Sequence, residues 1–373
     1  MKLKEYLREI NKVFSSNIQK IPIHEFDTTF KEIISNPLAS SIPTEILEFC
    51  KTNQTTYKTK GFKFESPMVK RQIKVFWYDD PDSTKNTLFI LRCILLLEHI
   101  EKYKNIPFPI FGNTGSECSK ELSIFLLLTP FKKVLPRTKC IPIEPIHCNT
   151  GYSYTCGPNG NSSSGYGENT ICIFREEEWE KVLIHELIHA FGGDVSSDHL
   201  FLGSDVNNKL RQMFHGLHEN NGHLNVFEAC TELWAELIFI ATGHETTIEQ
   251  LNQILLYETS WSIFQAIKLM HHFDLSYTEL LHGSSKKRSY IDLNTSSFAY
   301  YIIRSILFCN LEEFILICKK KRITFIHFLE EHYQEKKLVD LFMILYKQLD
   351  KWKGDRSKLD TLCMMWKNGG DKV

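Results

Sequence analysis

Two histidines and a glutamate within five residues form the clearest chemical pattern in this chain. The pattern His-Glu-x-x-His occupies residues 185–189, inside an apolar stretch. Residues four apart lie on the same face of an α-helix, so His185 and His189 can offer two imidazoles to one metal ion. Glu186 lies beside the first histidine, within reach of a proton on a metal-bound water. The pattern therefore predicts a metal site with an adjacent base, and zinc is the metal that such a set favours.

The residues around the pattern predict a short strand followed by a helix. The strand would span Ile171–Phe174, and three glutamates at 176–178 would then place negative charge in the first helical turn, where the helix dipole favours it. Gly192 and Gly193 would end the helix soon after the second histidine. Two alternatives stay open for the strand: an edge that pairs with an extended peptide, or an ordinary interior strand.

A catalytic zinc site needs a third protein ligand, and the candidates lie downstream of the pattern. An extended pattern with a third histidine six residues after the second would place it at Val195, which cannot bind a metal. A helix predicted to start at Asn225 and end near Gly243 carries Glu228, Glu232 and Glu236 on one stripe. Like charges at this spacing repel each other unless a cation faces them. Such a stripe is also typical of a solvated helix face when it stands alone.

The position of each glutamate in this helix suggests a different role. Asn225 and Glu228 have the spacing of a capping box, which would occupy Glu228 at the start of the helix. Glu232 is then the preferred third ligand, with Glu228 as the alternative. Glu236 could accept a hydrogen bond from the second nitrogen of a ligating histidine and fix its tautomer. The expected zinc ligands are His185, His189 and Glu232.

Together the two motifs resemble those of the gluzincin zinc metallopeptidases, in which a glutamate on a following helix is the third ligand. Glu232-x-x-Ala235-Glu236 is similar to the second motif of that family. The resemblance implies a zincin-like catalytic core, Glu186 as general base, Glu236 as support for a ligating histidine, and a peptide or protein substrate. The segment 172–179 also resembles uncharacterised metallopeptidase-like proteins of large DNA viruses.

Peptide hydrolysis at such a site also needs a hydrogen-bond donor for the oxyanion. Zinc lowers the pKa of its water to about 7, and Glu186 would take the water's proton and pass it to the leaving amine. The oxyanion that forms needs a donor besides the metal. The gluzincin resemblance implies a tyrosine or histidine in this role. The candidates left open are His215, His218, His223, His244 and Tyr257.

The composition is that of a globular protein without a dominant charge. The chain has 373 residues and a formal net charge of −1, so no global field favours nucleic acid or an anionic membrane as a partner. The 11 cysteines include no Cys-x-x-Cys pair, which indicates reduced thiols in an intracellular protein. The apolar runs are too short to cross a bilayer and the N-terminus lacks the pattern of a signal peptide. We therefore expect a soluble, cytoplasmic protein.

The hydrophobic patterns predict an α+β fold: a small mixed sheet packed on the zinc helix, and a mainly helical C-terminal lobe. Strands are expected at Gln72–Tyr78, Leu122–Leu128 and Ile171–Phe174. The glycine-rich segment 151–167 is either a loop at the rim of the cleft or the turn of a hairpin that enters the third strand. The expected divisions are a mostly helical segment over 1–65, a zincin-like catalytic domain over 66–245 and a helical lobe over 246–373.

Two functions of different classes are compatible with these features. The motifs favour a zinc metallopeptidase that hydrolyses peptide bonds. The alternative is a non-catalytic, partner-binding protein on a metallopeptidase-like fold, with zinc kept for structure or lost. Glu186 separates the two at the level of sequence, because a structural zinc site has no need of a base at that position. A hydrolase of another amide or ester is a third possibility.

Overall fold

The computed structural model is a mixed α+β fold, as expected from the sequence, and its described strands form one six-stranded sheet. Placement is described for most of the chain. The described residues are 3–16, 21–34, 40–54, 58–78, 80–103, 120–154, 169–193, 203, 205–220, 224–243, 247–284, 289–292, 294–320, 324–351 and 357–365.

The sheet combines parallel strands at its centre with antiparallel strands on both sides. Its order is β1-β2-β3-β4-β6-β5, and β3, β4 and β6 run parallel to each other. The three predicted strands are confirmed as β3, β4 and β6, which are neighbours. The strands are β1 His24–Phe26, β2 Thr59–Glu65, β3 Gln72–Tyr78, β4 Glu121–Thr129, β5 Gly151–Tyr154 and β6 Asn169–Arg175.

Strand β6 is interior, and β5 forms the edge of the sheet next to it. All seven residues of β6 are buried, as expected for a central strand covered on both faces. Its two neighbours are β4 and β5, so the interior alternative for this strand is confirmed. A Cβ on Gly151 would lie 2.7 Å from the carbonyl oxygen of Cys172, so glycine permits the close approach of β5. Residues 151–154 are therefore a strand that pairs antiparallel with β6 rather than part of a loop or turn, and 155–168 lie outside the described residues.

Helices make up most of the remaining described chain, and the region after residue 246 is helical as predicted. Among the described residues, no helix combines the length and the apolar character needed to cross a bilayer. The helices are α1 Leu3–Ser15, α2 Phe30–Ile34, α3 Thr44–Asn53, α4 Ser83–Tyr103, α5 Pro145–Cys148, α6 Trp179–Ala190, α7 Val206–Met213, α8 Phe227–Thr242, α9 Ile248–His272, α10 Tyr277–His282, a π-helix Phe298–Ile303, α11 Arg304–Cys309, α12 Leu311–Lys320, α13 Phe325–His332, α14 Lys336–Asp350 and α15 Ser357–Asp360.

The two faces of the sheet are covered by different helices. Alternate side chains of a strand point to opposite faces, so Ile171 and Ile173 of β6 pack into the larger core with α4, α6 and α8. Cys172 and Phe174 pack on the other face with α2 and α3. The larger core also includes Leu3 of α1 and the C-terminal helices. The expected divisions at 65 and 245 stay a prediction.

The pattern His-Glu-x-x-His lies on α6, the helix that follows β6 and ends near Gly192. The helix begins at Trp179, so Glu177 and Glu178 precede the first turn rather than lying in it. The carboxylate of Glu178 is buried and accepts hydrogen bonds from Lys133 Nζ at 2.7 Å and from the amide of Met365 at 2.6 Å. The helix ends where Gly192 adopts a φ of 69°, as the sequence predicts. The contacts of Glu178 hold the start of α6, and Gly192 ends the helix.

Candidate metal centre

Three potential metal ligands converge where α6 packs against α8. The Nε2 atoms of His185 and His189 lie 3.0 Å apart. The Oε2 atom of Glu228 lies 3.1 Å from the first of these nitrogens and 3.4 Å from the second. Ligands bound about 2.0–2.1 Å from one tetrahedral ion are separated by about 3.3 Å. The three atoms therefore have the mutual spacing of a ligand set around a single ion.

The third member of this group is a carboxylate that stays ionised. Burial alone would raise the pKa of Glu228, but His189 and His185 hold this pKa well below its ordinary value. Neighbouring carboxylates have the opposite effect on His185: burial lowers its pKa, and the carboxylates of Glu228 and Glu232 raise it above the ordinary value. The group thus combines an anionic oxygen with two imidazole nitrogens, a donor set that suits zinc.

Glu232 lies one turn further along α8 and contacts the other side of the His185 ring. Its Oε2 atom is 2.9 Å from His185 Nδ1, the nitrogen that faces away from the three-ligand group. Its other oxygen pairs with the ammonium of Lys181, and Arg304 lies 3.7 Å away. Burial would raise the pKa of Glu232, but Lys181 and His185 hold it well below the ordinary value. This carboxylate is placed to orient the histidine ring.

The glutamates of α8 lie one turn away from the positions that the sequence predicted for them. Glu228 occupies the place expected for Glu232, and Glu232 the place expected for Glu236. The expected capping box fails because α8 begins at Phe227 after Val226, which provides no side-chain cap. The carboxylate of Glu228 therefore faces the histidines. Glu236 forms a buried ion pair with Arg304 instead.

Glu186 lies next to this group and faces a small pocket. Its Oε2 atom accepts a 2.7 Å hydrogen bond from Ser153 Oγ on the edge strand β5. Burial raises the pKa of Glu186, although the neighbouring histidines and the Ser153 hydroxyl partly oppose this change. A buried carboxylate with a raised pKa is a stronger base than an exposed one. The pocket is lined by Cys148, Gly151, His185, Glu186, Glu232 and Tyr300, among others.

Tyr300 enters the site from the π-helix, and the sequence analysis did not identify it. Its hydroxyl donates a hydrogen bond to Glu228 Oε2 at 3.3 Å, and its ring centroid lies 6.0 Å from that of His185. Burial, together with Glu228 and Glu186, raises its pKa well above the ordinary value, so the hydroxyl keeps its proton at neutral pH. In the sequence, the only signal for Tyr300 is a polar hydroxyl group within the apolar run Phe298–Ile303.

The oxyanion-donor candidates chosen from the sequence are placed differently. His215, His218 and Tyr257 lie in the described part of the chain, and none of them belongs to the group of His185, His189 and Glu228 or to the pocket lining. The main chains of His215 and His218 bond to Leu281 and Tyr290, and Tyr257 is exposed on α9. His223 and His244 lie outside the described residues, so their roles stay predictions.

Comparisons of the chain with protein-family models, with curated proteins and with solved structures gave no match. The arrangement of side chains between α6, α8, β5 and the π-helix is therefore the basis for assigning a function.

Proposed function

We propose that this protein is a zinc-dependent metallopeptidase with His185, His189 and Glu228 as its zinc ligands and Glu186 as its general base. The convergence of the three ligand atoms beside a buried carboxylate supports this proposal most directly. A structural zinc site would not need Glu186 at the pocket, because its ligands alone would close the coordination sphere. An open position with an adjacent base is typical of a catalytic site.

Three polar side chains of the site, Glu186, Ser153 and Tyr300, then have defined tasks. Bound zinc would supply an acidified water and polarise the substrate carbonyl. Glu186 accepts the proton of the attacking water and returns it to the leaving amine, and Ser153 holds its carboxylate in position. Tyr300 keeps its proton at neutral pH and can donate it in a hydrogen bond to the oxyanion.

Two buried cationic side chains contact Glu232, the carboxylate that lies against the ligand His185. Lys181 lies one turn before His185 on α6 and is 1% exposed, and Arg304 is fully buried. Both face Glu232, whose carboxylate lies against Nδ1 of His185. A carboxylate at this nitrogen favours the tautomer that leaves Nε2 free to bind a metal. We infer that these three residues set the orientation of the His185 ring.

The proposed core is zincin-like, because an antiparallel edge strand lies beside the helix that carries the histidines. β5 brings Ser153 against Glu186 and has only β6 as its strand neighbour among the described residues. The free edge of such a strand can hold an extended peptide through backbone hydrogen bonds. A peptide or protein is therefore the substrate class that we propose.

A peptide-library digestion tests this function. Zinc-loaded wild type is compared with Glu186→Gln, and cleavage products are identified by mass spectrometry. Glu180→Gln on the same helix is the matched control, because it removes the same charge from a residue outside the pocket lining. Cleavage by wild type and Glu180→Gln, with loss in Glu186→Gln, is the expected result. Equal products from all three proteins would contradict the proposal. Zinc binding without cleavage by wild type would favour the partner-binding alternative.

A further inference from the structure

A second group of ligand-type side chains lies between two C-terminal helices. Glu313 is on the first turn of α12, and Glu331 and His332 are at the end of α13. One ligand atom from each residue lies within 4.8 Å of the corresponding atoms of the other two. This group lies on helices other than those of the proposed catalytic site.

The imidazole of His332 is buried and oriented in a way that suits metal binding. Its side chain is only 8% exposed, and Nδ1 lies 2.6 Å from Oε1 of Glu335. A carboxylate can only accept in this contact, so Nδ1 carries the proton and donates it. A histidine whose Nδ1 is held by a carboxylate presents the lone pair of Nε2 to its surroundings. Glu335 thus has the position of an orienting group behind a metal ligand.

The Nε2 atom of His332 lies near Glu313 without forming a hydrogen bond. It is buried and has no hydrogen-bond partner, and the nearest oxygen of Glu313 lies 3.5 Å away. A charge-assisted hydrogen bond would be about 2.7–2.9 Å long. Two ligands of one tetrahedral ion, in contrast, lie about 3.3 Å apart. The observed separation fits a shared ion better than a shared proton.

We propose that Glu313, Glu331 and His332 bind a second divalent cation that joins α12 to α13. Two carboxylate oxygens and one imidazole nitrogen form a mixed donor set that zinc accepts, whereas calcium requires six to eight oxygens. The cation removes the repulsion between the two carboxylates and the nitrogen lone pair. Its role is to stabilise the helix pair, and it does not depend on the proposed peptidase activity.

The test uses full-length protein in which the first site has been removed by His185→Ala and His189→Ala. Metal-free protein is titrated with zinc in competition with a chromophoric chelator, and thermal unfolding is recorded with and without zinc. We expect one zinc per chain and a rise in the unfolding temperature. Glu313→Gln with Glu331→Gln should weaken zinc binding by at least tenfold and abolish the rise. Substituting the ligand carboxylates avoids disturbing the buried His332 ring.

Glu312→Gln is the matched control for Glu313→Gln alone, since each removes one charge from an exposed position on the first turn of α12. It should bind zinc as tightly as its parent, which would show that overall negative charge is not responsible. The proposal is overturned if the parent binds no stoichiometric zinc, or if the Glu313 and Glu331 substitutions leave the affinity unchanged. Zinc content of the wild-type chain is a separate readout: it should fall from two to one in the Glu313 and Glu331 variant.

Discussion

The Oε2 atom of Glu228 lies 3.1 Å from the Nε2 atom of His185. The opposite nitrogen of the same ring lies 2.9 Å from Glu232, so one imidazole contacts two glutamates from successive turns of α8. Of these two glutamates, only Glu228 also lies close to Nε2 of the second histidine, His189. This relationship distinguishes the carboxylate that would bind the metal from the one that would orient its ligand.

Glu228→Gln should therefore lose more zinc affinity than Glu232→Gln. Removing a residue that orients a metal ligand typically weakens metal binding by about 10–100-fold. Removing an anionic ligand itself should weaken it further. Chelator competition, carried out with Glu313→Gln and Glu331→Gln in the background, isolates the first site. A larger loss in Glu232→Gln than in Glu228→Gln would restore the assignment made from the sequence.

The strands and the helix that carries the histidines could be predicted because their patterns are local. β3 has the predicted bounds, and α6 ends at the predicted glycine. The glutamate that faces the histidines could not be chosen from sequence. Glu228, Glu232 and Glu236 share one stripe, and the turn that meets His185 depends on how α8 is placed along α6. Tertiary packing sets that placement, and no local pattern encodes it.

Tyr300 was missed for a related reason. It is distant in sequence from both motifs, and the π-helix Phe298–Ile303 brings it to Glu228. The sequence instead drew attention to histidines near the motif, and the described ones are not part of the pocket lining. Lys181 was predictable in principle, because its spacing of four from His185 places it on the ligand face of α6.

Tyr300→Phe should lower kcat by about 10²–10³-fold, because the hydroxyl would stabilise the oxyanion. Zinc affinity should change much less, through the lost hydrogen bond to Glu228. Steady-state kinetics on a cleaved peptide, together with zinc titration, measure both quantities. Tyr301→Phe is the control: its hydroxyl bonds to the carbonyl of Leu362, so it should lower stability rather than kcat. A normal kcat in Tyr300→Phe would remove this residue from the mechanism.

Ser153→Ala should shift the acidic limb of the pH profile of kcat/KM to higher pH. The Ser153 hydroxyl donates to the ionised carboxylate of Glu186 and so lowers its pKa. Without this donor the pKa of Glu186 is higher, so its carboxylate becomes ionised at a higher pH. Ser153→Thr retains a hydroxyl and should keep the limb close to its wild-type position. An unchanged limb in Ser153→Ala would contradict the assignment of Glu186 as the titrating base.

The buried Glu178 should make folding stability depend on acid. Burial favours the neutral form, but the ammonium groups of Lys133 and Lys181 lower the pKa of Glu178 from 4.5 to about 2. A carboxyl whose pKa is lower in the folded state stabilises the fold above the unfolded value, and the stabilisation is lost as pH falls from 4.5 towards 2. Its size is about 3 kcal/mol.

Urea unfolding at several pH values measures this dependence. The free energy of unfolding of wild type should fall more steeply between pH 4.5 and 2 than that of Glu178→Gln. Glu176→Gln changes an exposed neighbour and should keep the wild-type slope. Identical slopes in wild type and Glu178→Gln would show that the contact with Lys133 does not shift this carboxyl.

Anomalous diffraction at the zinc absorption edge, from crystals of the zinc-loaded protein, tests the central claim most directly. We predict a peak about 2.0–2.2 Å from Nε2 of His185, Nε2 of His189 and a carboxylate oxygen of Glu228. A peak coordinated by Glu232 in place of Glu228, or no peak between α6 and α8, would contradict the proposed metal centre.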